Sequence, residues 1–181
     1  PAVTVDSETT DQTVNISYTA NDQTTHINYV DKDGKTIKSD TVSGKTGQTV
    51  KTNSEVPAGW KIIDGQVPET IHFTGAHTDD ITIKIEHGKT SVDHTKPIKP
   101  GAKTPSGKEI KGAHESDLNK TITRTINVTT PDGKMTTTKQ VAKIYRDATV
   151  DDVTGEVTYG DWSEGTWADF TPGQVAGYTA S

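Results

Sequence analysis

Six histidines, at positions 26, 72, 77, 87, 94 and 114, are the side chains of this 181-residue protein best suited to proton transfer or metal ligation. None stands in an H-E-x-x-H or similar ligand spacing. His72 and His87 flank apolar alternating runs, where a ring is more simply a surface or half-buried neighbour of a strand. The acidic pairs Asp79-Asp80 and Asp151-Asp152 could contribute oxygens to a Ca²⁺ ion. Asp31-Lys32-Asp33-Gly34 begins like a calcium-binding loop, yet the later ligands and the closing Glu are missing. Its composition fits a tight turn better. Cysteine is absent, which excludes a disulfide framework, a zinc–thiolate site and a cysteine nucleophile. No G-x-S-x-G, S-x-x-K, phosphate loop or dinucleotide fingerprint occurs. The expectation is a chain that is no enzyme and that holds no cofactor or metal. Three Asn-x-Ser/Thr sequons, at Asn15, Asn119 and Asn127, are what chance gives in a chain with 33 threonines.

The aromatic residues carry the remaining binding potential. Trp60, in VPAGWKII, precedes an apolar pair and reads as core. Trp162 and Trp167 lie in YGDWSEGTWADF, among Gly and acids, with Tyr159 just ahead. A tryptophan in such a loop either lids a small core or offers a flat apolar face with one polar edge to a ligand. Trp162, Trp167 and Tyr159 are therefore the candidate ligand-binding residues. The net charge of −6 and the presence of only two arginines, Arg124 and Arg146, argue against nucleic acid as a partner. No run of 18 apolar residues could span a membrane. The chain opens at Pro1 with no signal-peptide pattern, so it reads as a piece of a longer protein.

These residues must be positioned by small β-units. Apolar residues make up 29% of the chain, too few for one large core, while threonine suits a solvated strand face. Ile27–Val42 (INYVDKDGKTIKSDTV) and Ile126–Val141 (INVTTPDGKMTTTKQV) agree at six of sixteen positions with a constant offset of 99. Each centres on Asp-Gly between alternating runs, a hairpin signal. Strands are also expected at Val14–Tyr18, Trp60–Ile63, Thr70–Phe73, Ile81–Glu86, Thr121–Val128, Met135–Tyr145 and Glu156–Tyr159. Thr46–Glu55 could hold a short helix. Between His87 and Gly112 the Lys-, Pro- and Gly-rich text reads as an extended connector or, alternatively, as a basic contact stripe. The fold expected is mainly β (small α+β), as two tandem elongated domains. Residues 1–90 would form a β-grasp-like (ubiquitin-like) domain with an extra N-terminal strand. Residues 91–181 would form a second, related β-rich domain opening with the Lys/Pro-rich segment.

The run INYVDKDGKTIKSDTVSGKTGQTVKTNSEVPAGW, closing with ITIKIEH, resembles the mucin-binding (MucBP-type) domain of bacterial surface adhesins. DLNKTITRTINVTTPDGK, TGEVTYGDW and GYTA resemble the second domain of the same repeat in the mucus-binding proteins of lactic acid bacteria. The resemblance spans roughly residues 20–181. It implies an extracellular, cell-wall-anchored protein with tandem repeats that adheres to host mucin glycoproteins. Immunoglobulins are a further partner it implies, and neighbouring repeats of the same chain another. A ligand-free stalk repeat is the alternative. The resemblance transfers no ligand-contact residue.

Overall fold

The computed structural model describes residues 4–180. In the first half, strands β1 (Asp22–Val30), β2 (Thr36–Lys45), β3 (Thr49–Lys51), β4 (Trp60–Asp64), β5 (Thr70–His72) and β6 (Ile81–His87) follow in order. Four of them form a mixed sheet ordered β2-β1-β6-β4, in which β1 pairs antiparallel with β2 and parallel with β6. β3 and β5 make a separate antiparallel pair. Alternate residues of β1 and β6 point to one side, so Ile27, Tyr29, Ile83 and Ile85 are fully buried there with Phe73, Val42 and Ile71. The polar alternates face water. The helix expected over Thr46–Glu55 is absent. Gly47 and Asn53 both take positive φ (88° and 48°), which breaks any helical run, and the β-branched Thr49 and Val50 pair with β5 instead.

The second half contributes β7 (Lys89–Val92), a single helical turn α1 (Glu115–Leu118), β8 (Asn119–Thr129), β9 (Met135–Tyr145), β10 (Ala148–Asp151) and β11 (Val157–Tyr159). β11, β10 and β7 form a three-stranded sheet, and β8 with β9 forms a long two-stranded hairpin. A second buried cluster gathers Val92, Ile110, Ala113, Leu118, Ala148 and Val150. The Lys/Pro-rich stretch between β7 and α1 is folded onto this cluster rather than drawn out. Ile98 packs on it, the Ile98 amide donates to Ala113 O (2.8 Å), and Lys103 and Glu109 form an isolated bridge. The two isoleucines interrupting the lysines supply that anchorage. Val14–Tyr18 pairs with nothing among the described residues, and the strand expected there is not formed.

Both Asp-Gly hairpins adopt the same turn. Gly34 and Gly133 have φ of 81° and 82°, and their amides donate to Asp31 O and Thr130 O. The hairpins then diverge by one residue. In β2 an extra residue, Ile37, is inserted, because Tyr29 faces Lys38 while Val30 faces Thr36. β9 has no such bulge. Because side chains alternate, one residue of slip exchanges the faces. Val42 is therefore buried at 4% exposure, whereas its sequence equivalent Val141 is 54% exposed. Val42→Thr is expected to cost about 1–2 kcal/mol by placing a hydroxyl in the core. Val141→Thr should stay within about 0.5 kcal/mol of the parent. Chemical denaturation of the two variants measures the difference.

The two clusters meet where β6 runs into β7. The Gly88 amide donates to Gly59 O (2.7 Å) and the Asp152 amide to Gly88 O (2.9 Å). The Trp60 and His87 rings meet edge to face at 4.4 Å, and His87 Nδ1 lies 2.8 Å from Asp151 Oδ2. Burial would push the Asp151 carboxyl up. Hydrogen bonds from the Thr154 amide, His87 and the Val153 amide outweigh it and lower the pKa from 3.8 to about 2. The folded protein thus keeps Asp151 ionised where the unfolded chain takes up a proton. Its stabilisation, about 1–2 kcal/mol, is present above pH 4 and lost as pH falls towards 2. Asp151→Asn should be less stable at pH 6 and show a shallower loss of melting temperature between pH 4.5 and 2 than the parent. Parallel slopes would contradict this.

Candidate binding surface on the second hairpin

Six basic residues, Lys120, Arg124, Lys134, Lys139, Lys143 and Arg146, fall within residues 119–146 against one acid, Asp132. Both arginines of the chain are among them. A segment of charge +5 in a chain of charge −6 makes this hairpin a local positive field. The register sorts its residues onto two faces. On one, Thr121, Thr123, Thr125, Asn127 and Thr129 lie opposite Lys143, Val141, Lys139, Thr137 and Met135, all exposed. The other face, carrying Lys120, Ile122, Arg124, Ile126 and Val128, receives the chain beyond β11. Gly165 lies against Ile144 and Ala142 there, where an added Cβ would sit 2.8 Å from Ile144 Cγ2.

The three candidate ligand-binding residues are all placed beside this hairpin, interleaved with its cations. The Arg146 guanidinium lies 3.9 Å from the Tyr159 ring centroid and 4.5 Å from that of Trp162. Lys120 Nζ lies 4.5 Å from the Trp162 centroid. Arg124 stands 5.3 Å from the Trp167 ring, whose Nε1 donates to Ile122 O (3.3 Å). Arg146 is held in place by donating Nε to Asp117 O (2.9 Å), and Arg124 by donating to Ala168 O (3.1 Å) and Gln140. Cation and ring alternate along this row, each pair contributing about 0.5–2 kcal/mol to its own geometry. The roles within the row differ. Tyr159 packs on the second core, and its hydroxyl accepts the Ala113 amide (3.1 Å), an amide at a strained φ of 55°. Trp162 is half-buried. Trp167, 37% exposed, presents the most open ring. The basic count over residues 119–146 was the sequence signal that could have located this surface, whereas averaging over residues 91–181 conceals it.

Of the four paired carboxylates singled out as calcium ligands, three are engaged by the protein's own donors, while the Asp79 side chain is exposed with His77 Nε2 3.7 Å away. Asp80 accepts from His26, Asp152 from Thr90 (2.7 Å), and Asp151 from His87. Asp80 is held below the ordinary carboxylate range chiefly by its hydrogen bond with the His26 side chain. Among the described residues one further group, Asp93, His94 and Asp147, brings possible ligand atoms within 4.8 Å of one another. His94 is already stacked on Tyr145 at 3.9 Å and bonded through Nδ1 to Asp147 (2.8 Å). No described helix is long and apolar enough to cross a membrane.

The described chain is nearly all β, with two small cores, open strand faces and a cation–aromatic row. Residues 24–84 match the MucBP domain, and residues 113–181 match the Muc B2-like domain. The chain carries a MucBP domain followed by a Muc B2-like domain. Two solved structures are similar over 87% of this chain. One is the crystal structure of Mub-RV, at 23% identity and a TM-score of 0.52, with 84% of its chain covered. The other is the type 2 repeat of the mucus binding protein MUB from Lactobacillus reuteri, at 22% identity and a TM-score of 0.40, with 85% covered. No curated protein matches the chain.

Proposed function

We propose that this chain is a non-catalytic adhesive repeat that binds host mucus glycoproteins from the extracellular surface of a bacterium, anchored to the cell wall through other parts of its protein. The two units join near residue 90, where the backbone passes from the first sheet into the second. The MucBP and Muc B2-like matches are the observation that carries the reading. The hairpin adds its chemistry. Terminal mucin sugars combine an apolar ring face with carboxylate or sulfate groups, and the row Tyr159–Arg146–Trp162–Lys120, with Arg124–Trp167 beside it, alternates an apolar plane with a cation. Trp162 and Trp167 are the contact rings, with Tyr159 fixing Arg146 from behind. Each repeat binds weakly, and linked copies gain avidity.

Trp167→Ala should lower mucin binding by about fivefold to tenfold, the order of one aromatic contact, with a fall of only about 2–4 °C in melting temperature from the lost Ile122 and Arg124 contacts. Tyr159→Ala should instead lower stability, because it uncovers the second core. Surface binding to immobilised mucin beside thermal melts reads both. Full mucin binding by folded Trp162→Ala and Trp167→Ala variants would remove the row from the contact surface.

A further inference from the structure

β8 has a free edge. β9 takes the backbone groups of Lys120, Ile122, Arg124, Ile126 and Val128, in step with the Arg146 amide donating to Leu118 O (2.9 Å) and the Thr130 amide to Lys134 O (2.9 Å). The amides and carbonyls of Thr121, Thr123, Thr125, Asn127 and Thr129 therefore point away from β9, and no backbone hydrogen bond reaches them among the described residues. An edge of this length is a template for another strand.

The first unit shows what such an edge holds. Asn28, the equivalent of Asn127, faces β6, which lies parallel to β1 with Ile27 opposite Ile81 and Tyr29 opposite Ile83. Ile81, Ile83 and Ile85 then complete the core. Among the described residues the second unit has the hairpin without a strand in that place. It also has a cleft of about 1140 Å³ beside Val128, bounded by Thr136, Val175 and Tyr178, where the strand's apolar side chains would lie.

One segment of the chain carries the matching pattern without a partner. Val14, Ile16 and Tyr18 repeat the spacing of Ile81, Ile83 and Ile85, and they are 68%, 75% and 95% exposed. A run of alternating large apolar residues left in water, with its backbone unpaired, is a strand awaiting a sheet. We propose that residues 12–19 of a second copy of this chain dock as a parallel strand on the free edge of β8, placing Val14 opposite Ile126 and Ile16 opposite Val128. Donor and acceptor are different surfaces, so the contact is head-to-tail and propagates along an array. It needs no glycan and stands independently of the adhesive reading.

The 181-residue protein should form oligomers that grow between about 5 and 500 µM in sedimentation, by mass action. Amide exchange at Thr125, Asn127 and Thr129 should slow at least about tenfold over the same range. Val14→Ser/Ile16→Ser/Tyr18→Ser, altered only at exposed positions, should stay monomeric with those amides fast. A synthetic peptide of residues 10–20 added to this variant should restore the protection, and the same peptide with the three serines should not. A monomer at all concentrations, with no response to the peptide, overturns the proposal. Protection independent of concentration would assign the edge to the molecule's own segment, and protection by mucin but not by the peptide would assign it to the ligand; either result also overturns it.

Discussion

Lys120→Glu/Arg124→Glu is expected to weaken binding to sialylated or sulfated mucin at least about tenfold at low salt, through loss of two cations and gain of two repelling charges. The change takes the hairpin from +5 to +1. Lys120 is exposed and Arg124 half-exposed, so neither reversal creates a buried charge. Arg124 does lose its bonds to Gln140 and Ala168 O, and a modest fall in melting temperature accompanies the binding loss. Salt separates the two effects. Near 0.5 M, where the screening length is only about 4–5 Å, the parent should lose most of its electrostatic advantage and approach the variant. A difference that persists undiminished in high salt would mean that the hairpin's field does not act on the ligand. The acidic remainder of the chain makes the experiment sharper, since unspecific attraction to an anionic polymer is opposed everywhere else.

Gly59→Ala is expected to be the most damaging single-methyl change at the junction. Gly59 has φ of +85°, a conformation costly for alanine, and an added Cβ would lie 2.4 Å from Asp152 O. The neighbouring backbone cannot yield freely, because the Asp152 amide is held by Gly88 O and Gly88 by Gly59 O. Strain and overpacking together should cost roughly 3 kcal/mol. For a chain of this size that is a fall of about 6–12 °C in melting temperature. Gly34→Ala, at a turn with φ of +81° and no atom within 4 Å of the added Cβ, carries the backbone cost alone and should fall less. Equal effects in the two variants would show that the junction has slack.

Local signals explain what the sequence made legible. Asp-Gly turns flanked by alternating residues located both hairpins, and the Ile81–Glu86 alternation located the strand that pairs parallel with β1. The bulge at Ile37 was hidden, because the identity of Val42 and Val141 conceals a change of face that only pairing reveals. Thr46–Glu55 misled because a polar stretch between strands looks like a crossover helix, whereas the positive-φ Gly47 and Asn53 commit it to turns around a short strand. Lysines and prolines made the stretch between His87 and Gly112 look extended, while Ile98 and Ile110 fold its part beyond β7 onto the core. Of the candidate surface, the sequence displayed Trp162 and Trp167 but not their cations. Lys120, Arg124 and Arg146 are 16–47 residues away in the chain, and only the hairpin brings them against the rings.

Surface binding of the folded 181-residue protein to intact mucin, and to mucin stripped of sialic acid and sulfate, tests the adhesive reading most directly. Saturable binding to intact mucin that falls at least about tenfold on stripping, and falls again with added salt, is the predicted result. No saturable binding to intact mucin, even with several copies linked in tandem, would contradict it.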